Sequence, residues 1–271
     1  MPLHTVDLPG PPKEPDPYVS YIPQPTERCL SMNLKGSVAL VTGANRGLGA
    51  RLVQELVSAG AAKVYATSRS GSIVRADVAA TPHVETLTLD VTDQASVNAA
   101  AEAAQDVTVL VNNAGVLAFG SALDGDHASF ERDVQTNYFG TLRVTRSFVP
   151  ILERNAPGAI VNVLTLIALA PVAPMAGYSA SKAAAHSITQ SLRAELRDRN
   201  ITVLGAYPGG IDTDMLAGVQ AEKAPPETVA QRIVAALAAG ETLVFPDDAS
   251  ATAGSTYLQD PLRLEQMLSA G

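Results

Sequence analysis

The chain has 271 residues, of which 46% are hydrophobic, so one large domain or two small ones can be filled and global disorder is excluded. Charged residues make up 17% and the net charge is −8, so neither nucleic acid nor an anionic membrane is expected as a partner. The lone cysteine, Cys29, excludes an internal disulfide and suits a reducing cytoplasm, and no apolar run reaches the roughly 18 residues of a membrane span.

Residues 1–33 hold eight of the eighteen prolines. Proline lacks an amide donor and fixes φ, so this segment is expected as an extended arm, not as a helix or central strand. It shows no basic stretch followed by an apolar one, so no secretory signal is expected. From residue 34 the pattern alternates. "SVALVTG" predicts a buried strand over Val38–Thr42, and "LGARLVQELVSAG" a helix ending at Gly60. "KVYAT" and "VETLTLDV" predict the second and third strands, with an irregular crossover from Ser70 to His83 between them. "SVNAAAEAAQ" reads as a helix and "VTVLVNNAG" as the fourth strand. A long helix is expected over Phe130–Arg154, a fifth strand in "GAIVNVLTL", and a helix over Tyr178–Arg199. "ITVLGAYPG", Glu227–Ala239 and "ETLVFP" supply the sixth strand, a helix and a short seventh strand. Residues 247–271 read as a C-terminal tail in which "YLQDPLRLEQML" forms a short amphipathic helix.

Strands alternating with helices of this length imply βαβ units. The expected fold is therefore a single α/β domain over residues 34–246, a Rossmann-like, doubly wound parallel sheet of about seven strands with helices on both faces. Continuous apolar strands such as "VTVLV" fit a sheet covered on both sides.

"TGANRGLG", Thr42 to Gly49, follows a strand and opens a helix. Gly43, Gly47 and Gly49 permit a sharp turn and close approach of the backbone to a phosphate, which the helix N-terminus attracts. The same glycines can also serve a purely structural turn. The second strand sharpens the choice. A carboxylate at its end would bind a ribose 2′-hydroxyl, and an arginine would accommodate a 2′-phosphate. Here "YATSRS" has no carboxylate; Ser68 is followed by Arg69, and Arg46 lies within the glycine turn. Two guanidiniums suit a phosphate dianion, so NADP(H) is expected over NAD(H), unless both arginines are merely solvated.

"YSASK" places Tyr178 one helical turn before Lys182. On a helix surface the pair is decoration. In a pocket it is chemistry: an ammonium beside a phenol favours the phenolate and should bring the tyrosine down from its usual pKa of about 10. Such a tyrosine exchanges a proton with a carbonyl or alcohol oxygen.

These motifs, in order, resemble the short-chain dehydrogenase/reductase family from about Asn33 to Pro246. "TGANRGLG" resembles its cofactor turn, with Asn45 and Leu48 among the contacts. "NNAG" (Asn112 to Gly115) resembles its fourth-strand motif, "TNYFG" its helix asparagine at Asn137, "YSASK" its tyrosine–lysine pair and "YPGGIDTDM" its segment after the sixth strand. The resemblance implies hydride transfer between a nicotinamide cofactor and a carbon bearing oxygen. It also implies that Asp90 and Val91 flank the adenine, and that Asn113, Ala114 and Gly115 line the ribose. Tyr178 and Lys182 would touch the cofactor too, and Pro208, Gly209, Ile211 and Thr213 would hold the nicotinamide amide. Counting thirteen residues back from the tyrosine reaches Thr165, where the family usually has serine. Threonine keeps the hydroxyl but adds a stiffening methyl.

The implied roles are Tyr178 as acid/base, Lys182 as ribose anchor, Thr165 as orienter of the substrate oxygen and Asn137 as holder of a water that joins the lysine to solvent. Leu117, Phe119, Leu166, Ile167, Val172, Met175 and Met215 are candidate substrate walls, and their apolar character suggests a hydrophobic ketone or alcohol. His186 is expected at the surface or an interface. Asp212 and Asp214 lack companions at ligand spacing, so no metal is expected. The leading reading is an NADP(H)-dependent carbonyl reductase or alcohol dehydrogenase acting on a small molecule, a homodimer or homotetramer joined through the two long helices. The alternatives are a cofactor-binding sensor or scaffold without turnover and, less well supported by the modest tail, an epimerase or dehydratase.

Overall fold

The computed structural model describes residues 31–71 and 76–269. The Pro-rich arm expected over residues 1–33 lies outside the described residues up to residue 30. At its end Met32 is buried and its amide donates to the Ala238 carbonyl at 3.1 Å.

Seven parallel strands form one sheet: β1 (Val38–Val41), β2 (Lys63–Ser68), β3 (Val84–Thr88), β4 (Val109–Asn112), β5 (Gly158–Val163), β6 (Ile201–Ala206) and β7 (Leu243–Val244). Their spatial order is β3-β2-β1-β4-β5-β6-β7. The chain thus winds outward from β1 to β3 and returns to place β4 on the other side of β1. That reversal opens a crevice at the carboxyl ends of β1 and β4, where α/β sheets bind ligands. Every residue of β4 and β5 is buried, as expected for strands covered on both faces.

Helices α1 (Gly47–Ser58) and α7 (Pro226–Ala239) cover one face, closing a core that includes Leu52, Val53, Ile233 and Leu237. On the other face α3 (Gln94–Ala103), α5 (Thr141–Arg154) and α6 (Ala176–Leu196) pack over Leu40, Leu110 and Ile160. Between β2 and β3 the described residues of the crossover carry one short helix, α2 (Ala76–Ala79), a single turn.

Two expectations need correction. The helix expected over Phe130–Arg154 starts earlier, as α4 (His127–Val134), where Asp126 caps it by accepting from the Ser129 amide at 2.9 Å. It then runs through a π-helical turn, Gln135–Gly140, before continuing as α5. The π turn contains Asn137, whose side chain bonds Val116 and Ser181. The tail is also larger than expected. It forms α8 (Asp248–Gln259) and α9 (Pro261–Ser269), which fold back so that Leu264 and Ala253 bury Leu166 and Ala170. The sequence pattern hid this because only one apolar stripe of each short helix faces the domain, while Leu258, Leu262 and Met267 stay exposed.

If the tail is part of the core, removing its buried anchor should be costly. Leu264 is 0% exposed. Leu264→Ala is expected to lower the unfolding free energy by about 2–5 kcal/mol in urea titrations, whereas the exposed Leu262→Ala should change it by under about 1 kcal/mol.

Candidate active site

Strand β1 ends in the glycine turn. Gly43 and Gly47 have φ of +65° and +55°, a region costly for side chains. A Cβ on Gly43 would lie 2.9 Å from Ala114 Cα, and one on Gly49 would collide with the Gly43 carbonyl oxygen. The turn is therefore packed directly onto the loop after β4. Thr42 joins the two: its hydroxyl oxygen accepts the amides of Asn113 and Ala114, each at 2.9 Å. Asn113 returns its side-chain amide to the carbonyls of Thr42 and Gly43.

Helix α1 then begins with no acidic residue in its first turn and no side-chain cap from Arg46. Its first amide groups are thus left for an external acceptor, a donor set that suits phosphate. Arg46 reaches across the crevice and pairs with Asp214 at 3.1 Å, both side chains being largely exposed. Arg69 is exposed at the end of β2 and Ser68 is buried beside it. Burial works against the Asp90 carboxyl, but hydrogen bonds from the Thr92 amide and hydroxyl, with the fields of Arg69 and Arg143, hold it below the usual carboxylate range. Val91 is fixed by Arg143 of α5, which donates to its carbonyl; nothing local in the sequence signals that contact.

The four expected catalytic side chains, Tyr178, Lys182, Thr165 and Asn137, are all buried. Lys182 donates from Nζ to the Val163 carbonyl at 2.8 Å, and that nitrogen lies 5.9 Å from the centre of the Tyr178 ring. Gly115 is the meeting point. A Cβ there would lie 3.1 Å from Asn137 Oδ1 and 3.6 Å from Lys182 Nζ. The Asn137 side chain ties three segments together. Its Oδ1 accepts the Val116 amide, and its Nδ2 donates to the Val116 carbonyl and to Ser181 Oγ, each at 2.9 Å. Thr165 donates a long hydrogen bond of 3.3 Å to the Pro208 carbonyl.

The charge balance differs from the expectation. Burial pushes the Tyr178 phenol above its ordinary value, and Asp133 pushes it further the same way. The acidified tyrosine read from the sequence is therefore not produced by this chain's own groups. The phenol's own desolvation decides the shift; burial also lowers Lys182 to about 8, against the opposing field of Asp133. Near neutrality the phenol holds its proton.

Asp133 is the residue that sequence reasoning missed. It is 0% exposed, on α4. Its Oδ2 accepts the Ala118 amide at 3.2 Å, and burial raises its carboxyl. A carboxylate within "FERDVQ" reads as solvated, and only the packing of α4 against α6 hides it. His186, expected at the surface or an interface, also makes a contact that spacing does not show. It is half-buried, with Nδ1 2.6 Å from the Tyr207 hydroxyl. Among the expected walls, Phe119 and Met215 are exposed, but Leu166 is turned away into the contact with the tail. Thr213 sits against the glycine turn, 3.3 Å from where a Gly47 Cβ would be.

The sequence profile of the family described as short chain dehydrogenase matches residues 37–224. The 3-oxoacyl-[acyl-carrier-protein] reductase of Vibrio cholerae is 33% identical over 198 residues, 71% of this chain and 80% of that protein. A crystal structure of a short chain dehydrogenase from Burkholderia cenocepacia in complex with NADP is 38% identical, with a TM-score of 0.82, and the match covers 88% of this chain and 99% of that one. A 3-ketoacyl-(acyl-carrier-protein) reductase from Brucella melitensis, complexed with NADH, is 27% identical with a TM-score of 0.71, over 78% of this chain and 96% of that one.

The buried lysine makes stability depend on pH. Below about 8 Lys182 is charged in both folded and unfolded chains; between about 8 and 10.5 only the unfolded chain holds the proton, so this group makes stability rise with pH across that window. Lys182→Met removes the effect. From pH 7.5 to pH 10, urea unfolding should show wild type gaining on the variant by roughly 1–3 kcal/mol.

Proposed function

The chain belongs to the short-chain dehydrogenase family, and from that premise we propose that it is an NADP(H)-dependent reductase of hydrophobic ketones, running in reverse as a secondary-alcohol dehydrogenase. The observation that carries this reading is the convergence of Tyr178, Lys182, Asn137 and Thr165, all buried, at the strand ends beside the glycine turn. The residues present fit a dinucleotide. Gly43 and Gly49 let the turn pack tightly on the loop after β4, and the first turn of α1 offers uncapped amides to a phosphate. Asn45, Arg46, Gly47 and Leu48 would lie along the pyrophosphate. Asp90 and Val91 would flank the adenine and Asn113 to Gly115 the ribose. Pro208, Gly209, Ile211 and Thr213 would hold the nicotinamide end. Absence of a carboxylate after β2, with Arg69 exposed there, supports the 2′-phosphate form; so does the likeness to the NADP-bound Burkholderia protein.

When bound, the cofactor supplies hydride to a carbonyl carbon or accepts it from an alcohol. The chain's own groups manage the oxygen. Tyr178, which its raised pKa keeps protonated near neutrality, would donate its phenolic proton to the developing alkoxide. Thr165 would turn its hydroxyl from the Pro208 carbonyl, which the Leu166 amide still holds, to the substrate oxygen and stabilise the charge that forms there. Lys182, its pKa lowered to about 8, would resupply the proton and would be placed to bond the ribose. Asn137 holds Val116 and Ser181 so that the lysine's surroundings stay fixed, with any water relay to solvent passing beside it. Leu117, Ile167, Val172 and Met175 are partly exposed and give the mouth its apolar lining, beside the exposed Phe119 and Met215. We place the enzyme in the cytoplasm as a dimer or tetramer through α4–α5 and α6, where Phe139 is exposed. In this reading the catalytic domain spans residues 34–246, with the arm before it and the tail packed on it.

Purified protein mixed with NADPH and a panel of aromatic and alicyclic ketones should oxidise the cofactor, followed by its absorbance. Tyr178→Phe should lower kcat by at least about a thousandfold while NADPH affinity stays within about threefold. Tight NADPH binding with no turnover on any carbonyl compound would instead identify a cofactor sensor.

Arg69→Asp is expected to cut the NADPH-over-NADH ratio of kcat/KM by roughly tenfold to a hundredfold, since it exchanges an attractive charge for a repulsive one. An unchanged ratio would remove Arg69 from cofactor selection.

A further inference from the structure

We infer that Asp247, at the head of the C-terminal helices, is a positioning residue of the active site: together with Thr165 it grips one peptide unit, Pro208–Gly209, from opposite edges. The inference rests on the reading of that crevice as a nicotinamide site. The carbonyl edge of this peptide accepts Thr165 Oγ1 at 3.3 Å and the Leu166 amide at 2.9 Å. Its amide edge, Gly209 N–H, donates to Asp247 Oδ2 at 2.8 Å. A peptide is planar and rigid, so fixing both edges fixes its orientation. The hydroxyl assigned to the substrate oxygen and the segment assigned to the cofactor are therefore set by one shared unit.

Asp247 is 3% exposed and caps α8 as well. Its Oδ1 accepts the Ser250 amide at 2.8 Å, its own amide donates to Ser250 Oγ at 3.1 Å, and Ser250 Oγ also lies 2.8 Å from Oδ2. An N-cap needs only one acceptor, and Ser, Asn and Asp serve about equally well. A buried carboxylate is costly unless both its oxygens are bonded. Here the second oxygen is directed at an amide 38 residues earlier in the chain. Two acceptors are required, one for the helix and one for Gly209. Asparagine offers one acceptor and one donor, so it can cap α8 but would face the Gly209 N–H with an NH₂ group or leave the cap. Gly209 is confined as well, since a Cβ there would lie 3.1 Å from Asp247 Oδ1. The tail grips the other side through packing: Leu264 and Ala253 bury Leu166, the residue after Thr165. The tail thus reaches the site twice, by a hydrogen bond at Gly209 and by apolar contact beside Thr165.

The test compares wild type with Asp247→Asn and, as a second variant, Asp247→Ser, whose shorter side chain caps the helix without reaching Gly209. Ala251→Gly, at an exposed position of α8, weakens the helix without touching the peptide. Amide hydrogen exchange over residues 205–212 and 162–170 reads the grip without any cofactor. NADPH affinity from fluorescence titration and kcat/KM with a ketone read its consequence. Asp247→Asn and Asp247→Ser should raise exchange in both segments and lower kcat/KM by about tenfold or more, and Ala251→Gly should do neither despite a lower melting temperature. Unchanged exchange in the two Asp247 variants overturns the inference. So does raised exchange with unaltered kinetics, or an equal kinetic loss in Ala251→Gly. If wild type neither binds NADPH nor turns over, the proposed function fails, and the exchange data alone then decide whether Asp247 holds the peptide.

Discussion

A lysine kept inside the protein is the constraint on which the site depends. Taking an ammonium out of water is costly, and proteins respond by lowering its pKa, supplying acceptors or placing a counter-charge nearby. Lys182 shows all three. Its pKa falls to about 8, its Nζ donates to Val163, and the buried Asp133 exerts an opposing field. The same burial raises Tyr178, so lysine and tyrosine move towards opposite neutral forms: amine and phenol. With a pKa of about 8 the lysine still carries its charge near neutrality while the phenol keeps its proton, so the pair is a reservoir of two protons, a cation beside a neutral hydroxyl, and not an ion pair.

Holding that reservoir requires strand ends that leave the sheet in a controlled way. β4 and β5 end where the next backbone groups are captured outside the ladder. Thr42 takes the amides of Asn113 and Ala114, and the Pro208 carbonyl takes that of Leu166. Deeper in the sheet, Asn112 and Asn162 are partners in register on neighbouring strands and bond each other at 2.8 Å. Asn112 also reaches Thr145 of α5, and Asn162 reaches Thr189 of α6. These buried amides tie the two long helices to the strands whose ends build the site, so Tyr178 and Lys182 are registered against β5 by polar contacts as well as by packing.

What could be read from the sequence followed from spacing within single elements. The glycine turn, the Tyr178–Lys182 pair and the parallel sheet are patterns of local period and composition, and the structure carries the strand order and helices they imply. What could not be read lies between elements. Asp133 looks solvated until α4 meets α6. Arg143 reaches Val91, and Asp247 reaches Gly209, across separations without a sequence signature. The sign of the Tyr178 shift was equally hidden. Four-residue spacing shows that a cation is near, but burial, which decides the outcome here, is a property of the assembled fold. The π turn that contains Asn137, which bonds Val116 and Ser181, was hidden as well.

The two arginines proposed to select NADP(H) are not equivalent. Arg46 is already paired with Asp214, and an exposed pair of this kind is worth at most about 1 kcal/mol. It can be exchanged for a phosphate dianion, which offers stronger charge-assisted bonds, but the gain is net of the pair given up. The exchange would also free Asp214, on the segment that Thr213 rests against the glycine turn, and leave a carboxylate beside an anionic ligand. Arg69 bears no such cost. It stands exposed at the end of β2, with its field acting on Asp90, whose carboxylate is held by Thr92. In the proposed reading, discrimination between a 2′-phosphate and a 2′-hydroxyl would therefore fall more heavily on Arg69, and Arg46 would have to give up its pair with Asp214 to contribute.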